Sequence, residues 1–465
     1  MRTSFWLRAI AWGWVFAGFL PSAFSTEPAG PPLAIEEAIE TALGHSPLTE
    51  AAKQARLSAE SRVGVARSPW LPQVSFLANA RGDASYPLGG ETGKDIYSFR
   101  ANGQLSLNQL VYDFGRLSGR LAAAQALAQA AQGDEQATRA QVVLSTVSGF
   151  FTVLQNEALV AVASENLQQQ QRREKQSESF FKIGTKPQID VLMAKTAVAQ
   201  ARLQVLQARG NAQVARTQFL QTLGLEQSEW AAWRNRPLQA SQPTLGPLET
   251  AVYSQDVETV LVPEAFVEQA LAARPDYKAL AAKVRQAEAQ LRAVSRDYWP
   301  SISLGATASL SSGTFGGVSG LDVTMQTLPG ILLTGSASLS WPLFTGFSTV
   351  YGTRDARAQR DAAVANLQQL RLQVRSQLEQ ALQQVLTARL TVQAATAVAE
   401  QAQKQLDMAD GRYRAGVGNA IELGDAQVAA MQALAQRVSA EFALAQLRLN
   451  LRYYQGELAQ GAVTP

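Results

Sequence analysis

The spacing of hydrophobic residues along the chain switches between a helical and a strand-like period, and does so twice. Residues 33–67 carry apolar side chains every three or four positions, and the same pattern returns from Pro263 to Asp297. Each of these segments is followed by residues that alternate between apolar and polar, and then by a long run without proline. The long runs extend from Phe114 to Phe181 and from Gly346 to Tyr413. The pattern therefore predicts, in each half, short helices, a pair of strands and a very long helix.

The alternating segments predict four strands of about ten residues, at 72–81, 98–110, 300–311 and 332–344. Such strands suit a transmembrane barrel with a wet interior, although a soluble sandwich alternates in the same way. The polar faces are rich in small uncharged residues, unlike a typical solvated sheet. Aromatic residues that suit a membrane interface also cluster near the strand ends: Trp70, Tyr112, Tyr298, Trp299, Trp341 and Phe344. We therefore favour the barrel.

A barrel made from these strands must be shared between several copies of the chain. Four strands cannot close a barrel alone, because roughly eight is the smallest number that does. In lipid, an unclosed sheet would leave N–H and C=O groups unpaired along its edges, which is costly. Oligomerisation therefore follows if the strands lie in a membrane.

The two halves of the chain repeat each other. Phe181 and Tyr413 are separated by 232 residues, as are the other matched positions around two glycine-containing reversals at 182–188 and 414–420. A duplicated unit argues for two halves of one structure. The predicted organisation is a signal peptide at 1–25, a first repeat at 26–224, an irregular link at 225–261, a second repeat at 262–456 and a C-terminal tail at 457–465. Glycine-rich loops at about 82–97 and 312–331 connect the paired strands.

The second reversal carries two carboxylates. Asn419 is placed to cap the returning helix, and Glu422 and Asp425 follow at i, i+3 spacing, so that they share one helical face. Acidic residues near a helix N-terminus can simply complement its dipole. Repeated around a narrow pore, the same pair would favour cations and bind divalent metal ions.

Composition excludes several classes of function. The chain has no cysteine, so that disulfides, thiolate metal sites and a cysteine-linked lipid anchor are ruled out. The net charge is only +3 and no basic stripe appears, which argues against a nucleic-acid partner. His45 is the one histidine and has no triad context, so we expect no enzyme and no cofactor.

The N-terminus predicts a cleaved secretory signal, in preference to a short membrane anchor. The evidence is Arg2 and Arg8, the apolar stretch that follows, and the small-residue site Ala23-Phe24-Ser25.

The chain resembles the TolC-like outer-membrane efflux family over nearly all of its predicted mature length. The resemblance is carried by the duplicated order of elements and by four motifs: Leu71-Pro72, Tyr298-Trp-Pro300, Trp341-Pro-Leu-Phe344 and Arg412-Tyr-x-x-Gly416. It implies a mixed α and β membrane protein, a homotrimer in the lipid of a Gram-negative outer membrane. Each subunit would give four strands to one twelve-stranded β-barrel and its helices to a long α-helical periplasmic tunnel. The implied partners are a periplasmic adaptor protein and an inner-membrane transporter, as in multidrug resistance.

The resemblance also assigns roles to residues at the hairpin tips. Glu422 and Asp425 match the carboxylates at the periplasmic constriction of the family. Tyr413 matches a tyrosine that bonds to an aspartate of the neighbouring hairpin, here Asp190, and so latches the gate. Gly418 stands where a family member has a further latch arginine.

Other cations are candidates to replace that arginine, namely Arg412, Arg414 and Lys186. The tips themselves are the expected docking surface for the adaptor, and the residues concerned are Lys182, Gly184, Lys186, Arg414, Gly416 and Gly418. A soluble periplasmic coiled-coil adaptor or scaffold is the alternative from another class, but it would not need the alternating segments. A catalytic outer-membrane barrel has little support. Drugs, metal ions and polypeptides all leave through ducts of this family, so the cargo stays open.

Overall fold

A computed structural model of the chain describes residues 33–85, 96–226, 228–230, 233, 236–238, 262–311, 314–318, 322–326 and 330–460. The predicted signal peptide lies outside the described residues, as do parts of the two glycine-rich loops. The helices of the first half are α1 (Ile35–His45), α2 (Pro47–Arg67), α3 (Arg116–Lys182) and α4 (Gln188–Leu223). Those of the second half are α5 (Glu264–Ala273), α6 (Pro275–Ser295), α7 (Ser348–Arg414) and α8 (Ala420–Tyr454).

Matched helix lengths make the duplication visible in the fold. Helices α2 and α6 each have 21 residues, and both begin with a proline, which suits the first helical position because it needs no N–H donor there. Helices α3 and α7 each have 67 residues, which corresponds to about 100 Å of helix. The two halves therefore supply two equivalent long helices.

The strands form one antiparallel sheet. They are β1 (Gln73–Ser85), β2 (Ile96–Tyr112), β3 (Ser301–Ser311), β4 (Thr314–Val318), β5 (Asp322–Gln326) and β6 (Gly330–Ser340). The long strands lie in the order β1-β2-β3-β6, and the short pair β4 and β5 extends the sheet beside the start of β2.

The predicted strand bounds need correction at both ends of the sheet. Strands β1 and β2 continue into the first glycine-rich loop, and β4 and β5 lie within the second, where a loop was expected. Strand β6 ends at Ser340, four residues before the predicted end at 344. The next residues are Trp341 and Pro342, and proline has no N–H to offer a neighbouring strand.

Cross-strand pairing places most of the apolar residues of the four long strands on one face. Phe76 lies opposite Leu105, Leu105 opposite Ala308, and Ala308 opposite Leu333. Phe76 is 70% exposed and Leu333 is 76% exposed. An apolar face this exposed would be unfavourable in water, because burial of apolar surface is the main driving force of folding. The face is suited to lipid.

The opposite face carries small hydroxyl side chains. Ser75 and Ser106 lie opposite each other on β1 and β2 with their Oγ atoms 2.7 Å apart, and Ser303 and Ser338 on β3 and β6 repeat this distance. These pairs satisfy part of their hydrogen-bonding capacity across the strands and leave the rest for water. The polar face therefore suits a wet interior.

Strands β1 and β6 form the two free edges of the sheet. Among the strands that the structure describes, β1 pairs only with β2, and β6 pairs only with β3. A row of backbone N–H and C=O groups is consequently available along each edge. One chain thus supplies an open four-stranded segment with a neighbour missing on either side.

The six aromatic residues predicted for an interface lie at one end of the sheet. Because the long strands are antiparallel, the starts of β1 and β3 meet the ends of β2 and β6. Trp341 Nε1 donates to the carbonyl oxygen of Tyr298 at 3.2 Å, and Trp299 stacks on Phe114 with ring centroids 5.2 Å apart. The long helices leave the sheet at this same end.

Two equivalent apolar cores hold the helices together halfway along the long helices. The first core joins α1, α3 and α4 around Phe150 and Phe219, and the second joins α5, α7 and α8 around Leu378 and Leu382. Part of the predicted link at 225–261 packs on the first core. Within it, the carbonyl oxygen of Pro237 accepts a hydrogen bond from the N–H of Leu33 at 2.8 Å.

Two glycines in α3 allow this helix to pack closely against α6. A Cβ atom at Gly119 would lie 2.9 Å from Ala293 of α6, and one at Gly133 would lie 2.9 Å from Ala279 of the same helix. By length and composition, α3 is also the one described helix apolar enough to cross a membrane. Its central residues from Val142 to Leu154 belong to the first core, which accounts for their apolar character.

Candidate functional site

The two long helical hairpins end in tips of the same construction. Helices α3 and α4 are joined by 183–187, and α7 and α8 by 415–419. Gly184 has a φ of +79° and Gly416 a φ of +78°, values that side chains other than glycine rarely adopt. Gly184 N–H donates to the carbonyl of Phe181 and Gly416 N–H to that of Tyr413. The glycines predicted at 184 and 416 are therefore required by the backbone.

Gly418 has a different reason for being glycine. A Cβ atom at this position would meet the backbone N of Tyr413 at 3.0 Å and atoms of Arg412 at 3.1 Å. The Gly418 N–H also donates to the carbonyl of Arg412 at 3.0 Å, which holds the turn closed. An arginine would not fit here without a shift of the turn. Lys186 occupies the equivalent position of the first tip, 232 residues earlier.

Tyr413 is buried where the two hairpins meet, with 1% of its surface exposed. Its hydroxyl donates to Asp190 Oδ2 of α4 at 3.3 Å. Lys186 Nζ lies 4.7 Å from the centre of the Tyr413 ring, and the Phe180 ring lies 6.3 Å away. A cation over an aromatic face contributes about 0.5–2 kcal/mol. The structure thus brings together Tyr413, Asp190 and Lys186, the last of which covers the ring instead of bonding to Asp190.

Glu422 and Asp425 lie on the exposed side of the first two turns of α8. The Asn419 side chain accepts a hydrogen bond from the N–H of Glu422 at 2.7 Å, which confirms the predicted cap. Glu422 Oε1 lies 3.2 Å from Arg412 Nε, so that part of its charge is balanced within the hairpin. Asp425 has no hydrogen bond or ion pair with the residues the structure describes. Asp425 is therefore the more available of the two carboxylates.

The two arginines considered as replacements in the latch are engaged elsewhere. Arg412 binds Glu422, and Arg414 Nη2 lies 2.7 Å from Asp410 Oδ2 one turn earlier on α7. Both pairs are largely open to solvent and lie within one hairpin, where an ion pair is worth little. Within the described part of the chain, Lys186 is the one predicted replacement that contacts a residue of the other hairpin.

Sequence reasoning missed a buried arginine on α3. Arg173 is 8% exposed; its Nη2 donates to the carbonyl oxygen of Ala420 at 2.6 Å, and its Nη1 donates to Gln427 Oε1 at 2.7 Å. Burial lowers the pKa of this guanidinium below its ordinary value. The sequence does carry a signal, because Asn166, Gln170 and Arg173 are polar residues at the spacing of one helical face.

The exposed part of each tip presents both apolar and charged side chains. Ile183 is 75% exposed in the first tip and Val417 is 72% exposed in the second. Lys182 and Arg414, both predicted docking residues, are exposed beside them. No group of three or more potential metal ligands occurs in the described part of a single chain. A metal site at Glu422 and Asp425 would therefore need several chains.

The chain is similar to known proteins over most of its length. A model of the outer membrane efflux protein family matches residues 38–225 and 266–457. Protein CyaE of Bordetella pertussis is 27% identical over 435 residues, or 93% of this chain and 85% of that protein. The CmeC outer membrane channel of Campylobacter jejuni has a TM-score of 0.76 at 17% identity, covering 91% of this chain and 85% of that one. The outer membrane protein VceC of Vibrio cholerae has a TM-score of 0.72 at 18% identity, covering 91% and 96%.

Proposed function

Because the chain belongs to the outer membrane efflux protein family, we propose that it forms the exit duct of a tripartite efflux or secretion system. Proteins of this family are channels and not enzymes. The observation that carries the proposal is the sheet, which has one apolar exposed face, one hydroxyl-lined face and two free edges on the same chain. Those features suit a segment of a membrane barrel.

The sheet supports a trimeric barrel. Three copies of four long strands make twelve, above the roughly eight needed for closure. Pairing β6 of one subunit with β1 of the next would satisfy the backbone groups along both edges of the four long strands. The aromatic end of the sheet would then lie at the periplasmic membrane interface and contact outer-membrane lipid. The long helices α3 and α7 would continue from there into a periplasmic tunnel.

The hairpin tips would form the periplasmic aperture of this tunnel. In a trimer, Glu422 and Asp425 would each occur three times around the axis. A ring of carboxylates attracts cations and can hold a divalent ion between chains. The bond between Tyr413 and Asp190 would join the inner hairpin, α7–α8, to the outer pair, α3–α4, and so keep the aperture narrow.

The same tips would receive a periplasmic adaptor protein that connects the duct to an inner-membrane transporter. Ile183 and Val417 expose apolar surface at the far end of the helices, beside the cations Lys182 and Arg414. Lys182→Glu tests this docking surface without disturbing the Tyr413 contact made by Lys186. Loss of export with unchanged conductance of the purified protein would support docking here, and normal export would contradict it.

Single-channel conductance in planar lipid bilayers tests the duct itself. Wild-type protein should give small, cation-selective channels that millimolar divalent cation blocks from the periplasmic side. Glu422→Ala/Asp425→Ala should keep the channels and lose the block. If the channels of the double variant keep the wild-type selectivity and block, the constriction lies elsewhere in the protein. A folded sample that never forms channels would contradict the duct and favour a soluble periplasmic scaffold, for which the exposed apolar sheet has no use.

Drugs, metal ions and polypeptides remain the candidate cargoes. Export assays in cells that lack the gene, complemented with the wild-type chain, would distinguish them. Restored resistance to small toxic compounds would indicate efflux, and restored release of a polypeptide would indicate secretion.

A further inference from the structure

Arg173 is a buried cation without a carboxylate partner. Within the described part of the chain, no carboxylate oxygen lies within ion-pair distance of its guanidinium. The group instead donates to the backbone carbonyl of Ala420 at 2.6 Å and to the side chain of Gln427 at 2.7 Å. Its Nε has no hydrogen-bond partner among the described residues. Removing a charge from water is costly unless its hydrogen bonds are satisfied, so this placement needs an explanation.

The position of these acceptors supplies one. Ala420 is the first residue of α8, and it precedes Glu422 by two residues. Gln427 lies two turns further along the same helix and follows Asp425 by two residues. The guanidinium therefore hydrogen-bonds to α8 at one residue before and one residue after the acidic pair. It does so from α3, which belongs to the other hairpin.

The contact between α3 and α8 around Arg173 is polar for several helical turns. Gln170 Nε2 donates to the same Gln427 Oε1 at 3.1 Å, and Asn166 Nδ2 contacts the Met431 sulfur at 3.1 Å. Gln170 Oε1 and Ser177 Oγ are buried without partners in the described residues. Burial of this polar contact between α3 and α8 stabilises the structure less than burial of an apolar contact would, since each unsatisfied polar atom costs about 1–3 kcal/mol.

The contact between α7 and α8 is different. Near the tip these helices share an apolar cluster that includes Leu406, Leu423, Ala426 and Ala430. The inner hairpin is thus cohesive within itself and is fastened to α3 largely through polar groups. Motion of the hairpin as a unit would break the polar contacts before the apolar ones.

We propose, on the basis of the proposed duct, that Arg173 is a positioning residue of the aperture. It fixes the first turns of α8 against α3 and thereby sets how far Glu422 and Asp425 stand from the pore axis. It acts directly beside the Tyr413–Asp190 bond, because its Cζ atom lies 5.9 Å from the centre of the Tyr413 ring. Tyr413 holds the end of α7, and Arg173 holds the beginning of α8.

The test compares Arg173→Gln with Arg172→Gln in planar bilayers. Both variants lose one positive charge from adjacent positions of α3, but Arg172 is exposed. Arg173→Gln cannot reach both Ala420 and Gln427, and a hydrogen bond to a charged group is worth enough to shift the open-to-closed ratio about tenfold or more. We expect that increase, with weaker divalent block, for Arg173→Gln and wild-type behaviour for Arg172→Gln. Equal behaviour of all three proteins would overturn the proposal.

A cross-link separates positioning from a general loss of stability. The chain has no cysteine, so Gln170→Cys/Gln427→Cys provides the only thiols for a short bifunctional reagent. In the Arg173→Gln background, joining α3 to α8 in this way should return the conductance to the wild-type level. The conductance of the single Gln170→Cys variant should not change when the reagent is added. Failure of the cross-linked protein to close would contradict positioning, whereas a wild type without channels would contradict the duct instead.

Discussion

Replacement of Tyr413 by phenylalanine should loosen the aperture without removing its packing. The substitution deletes the hydroxyl that donates to Asp190 Oδ2 at 3.3 Å. The ring would stay, and with it the contacts to Phe180 and to the Lys186 ammonium group. The change therefore isolates one hydrogen bond between the two hairpins.

The size of the effect follows from the number of copies. A hydrogen bond of this length contributes about 1 kcal/mol, at the middle of the usual range. If three subunits open together, the closed state loses about 3 kcal/mol, which corresponds to about a 100-fold change in the open-to-closed ratio. If each subunit opens alone, the change is only about fivefold.

Open probability in planar bilayers measures this ratio directly. Asp190→Ala, which has no acceptor for the Tyr413 hydroxyl, provides the matched partner, and the double variant should show much less than the product of the two single effects, because both delete the same bond. Independent, multiplicative effects would show that Tyr413 and Asp190 act separately. A Tyr413→Phe protein as closed as the wild type would refute the reasoning altogether.

Three further outcomes follow from the structure. Neutralising one carboxylate at a time should show that Asp425→Asn weakens divalent block more than Glu422→Gln does, because Arg412 already balances Glu422; block that depends equally on both would contradict this order. Leu333→Arg should cost about 2–4 kcal/mol in lipid and lower the yield of assembled protein, whereas Thr334→Arg, on the opposite face, should assemble normally. Burial is the largest single effect on the pKa of Asp276 and raises it, but the hydrogen bond and the charge of a buried guanidinium, together with backbone N–H donors, lower it by more in total. The stability that Asp276 contributes is then present at neutral pH and is lost as the pH falls through that lowered pKa. Asp276→Asn should accordingly flatten the acid side of a stability-against-pH curve.

Much of the fold could be predicted from periodicity because each element has a single exposed or buried face. The alternation in β1, β2, β3 and β6 predicted which residues share a face, and cross-strand pairing confirms it. The glycine at 416 predicted a reversal because the backbone there needs a positive φ. The strands β4 and β5 were missed, since they are short and lie in a segment, 312–331, whose glycine and polar residues are typical of loops.

The site was predicted less completely, and the reason is physical. The contacts of Tyr413 with Asp190 and Lys186 join residues from different hairpins, so local patterns give only their positions. Arg173 was missed because an arginine in a long helix is usually solvated. Its burial depends on α8 packing against α3, which periodicity within either helix does not reveal.

The free edges of the sheet have a genetic consequence. A subunit whose β1 edge cannot pair prevents closure of the barrel in the proposed trimer, even when the other two subunits are normal. If defective and normal subunits mix at random, the intact fraction falls as the cube of the normal fraction. An edge-blocking allele should therefore be dominant when expressed beside the wild type. An allele that damages only the tips should assemble and leave one or two undamaged subunits in every mixed pore.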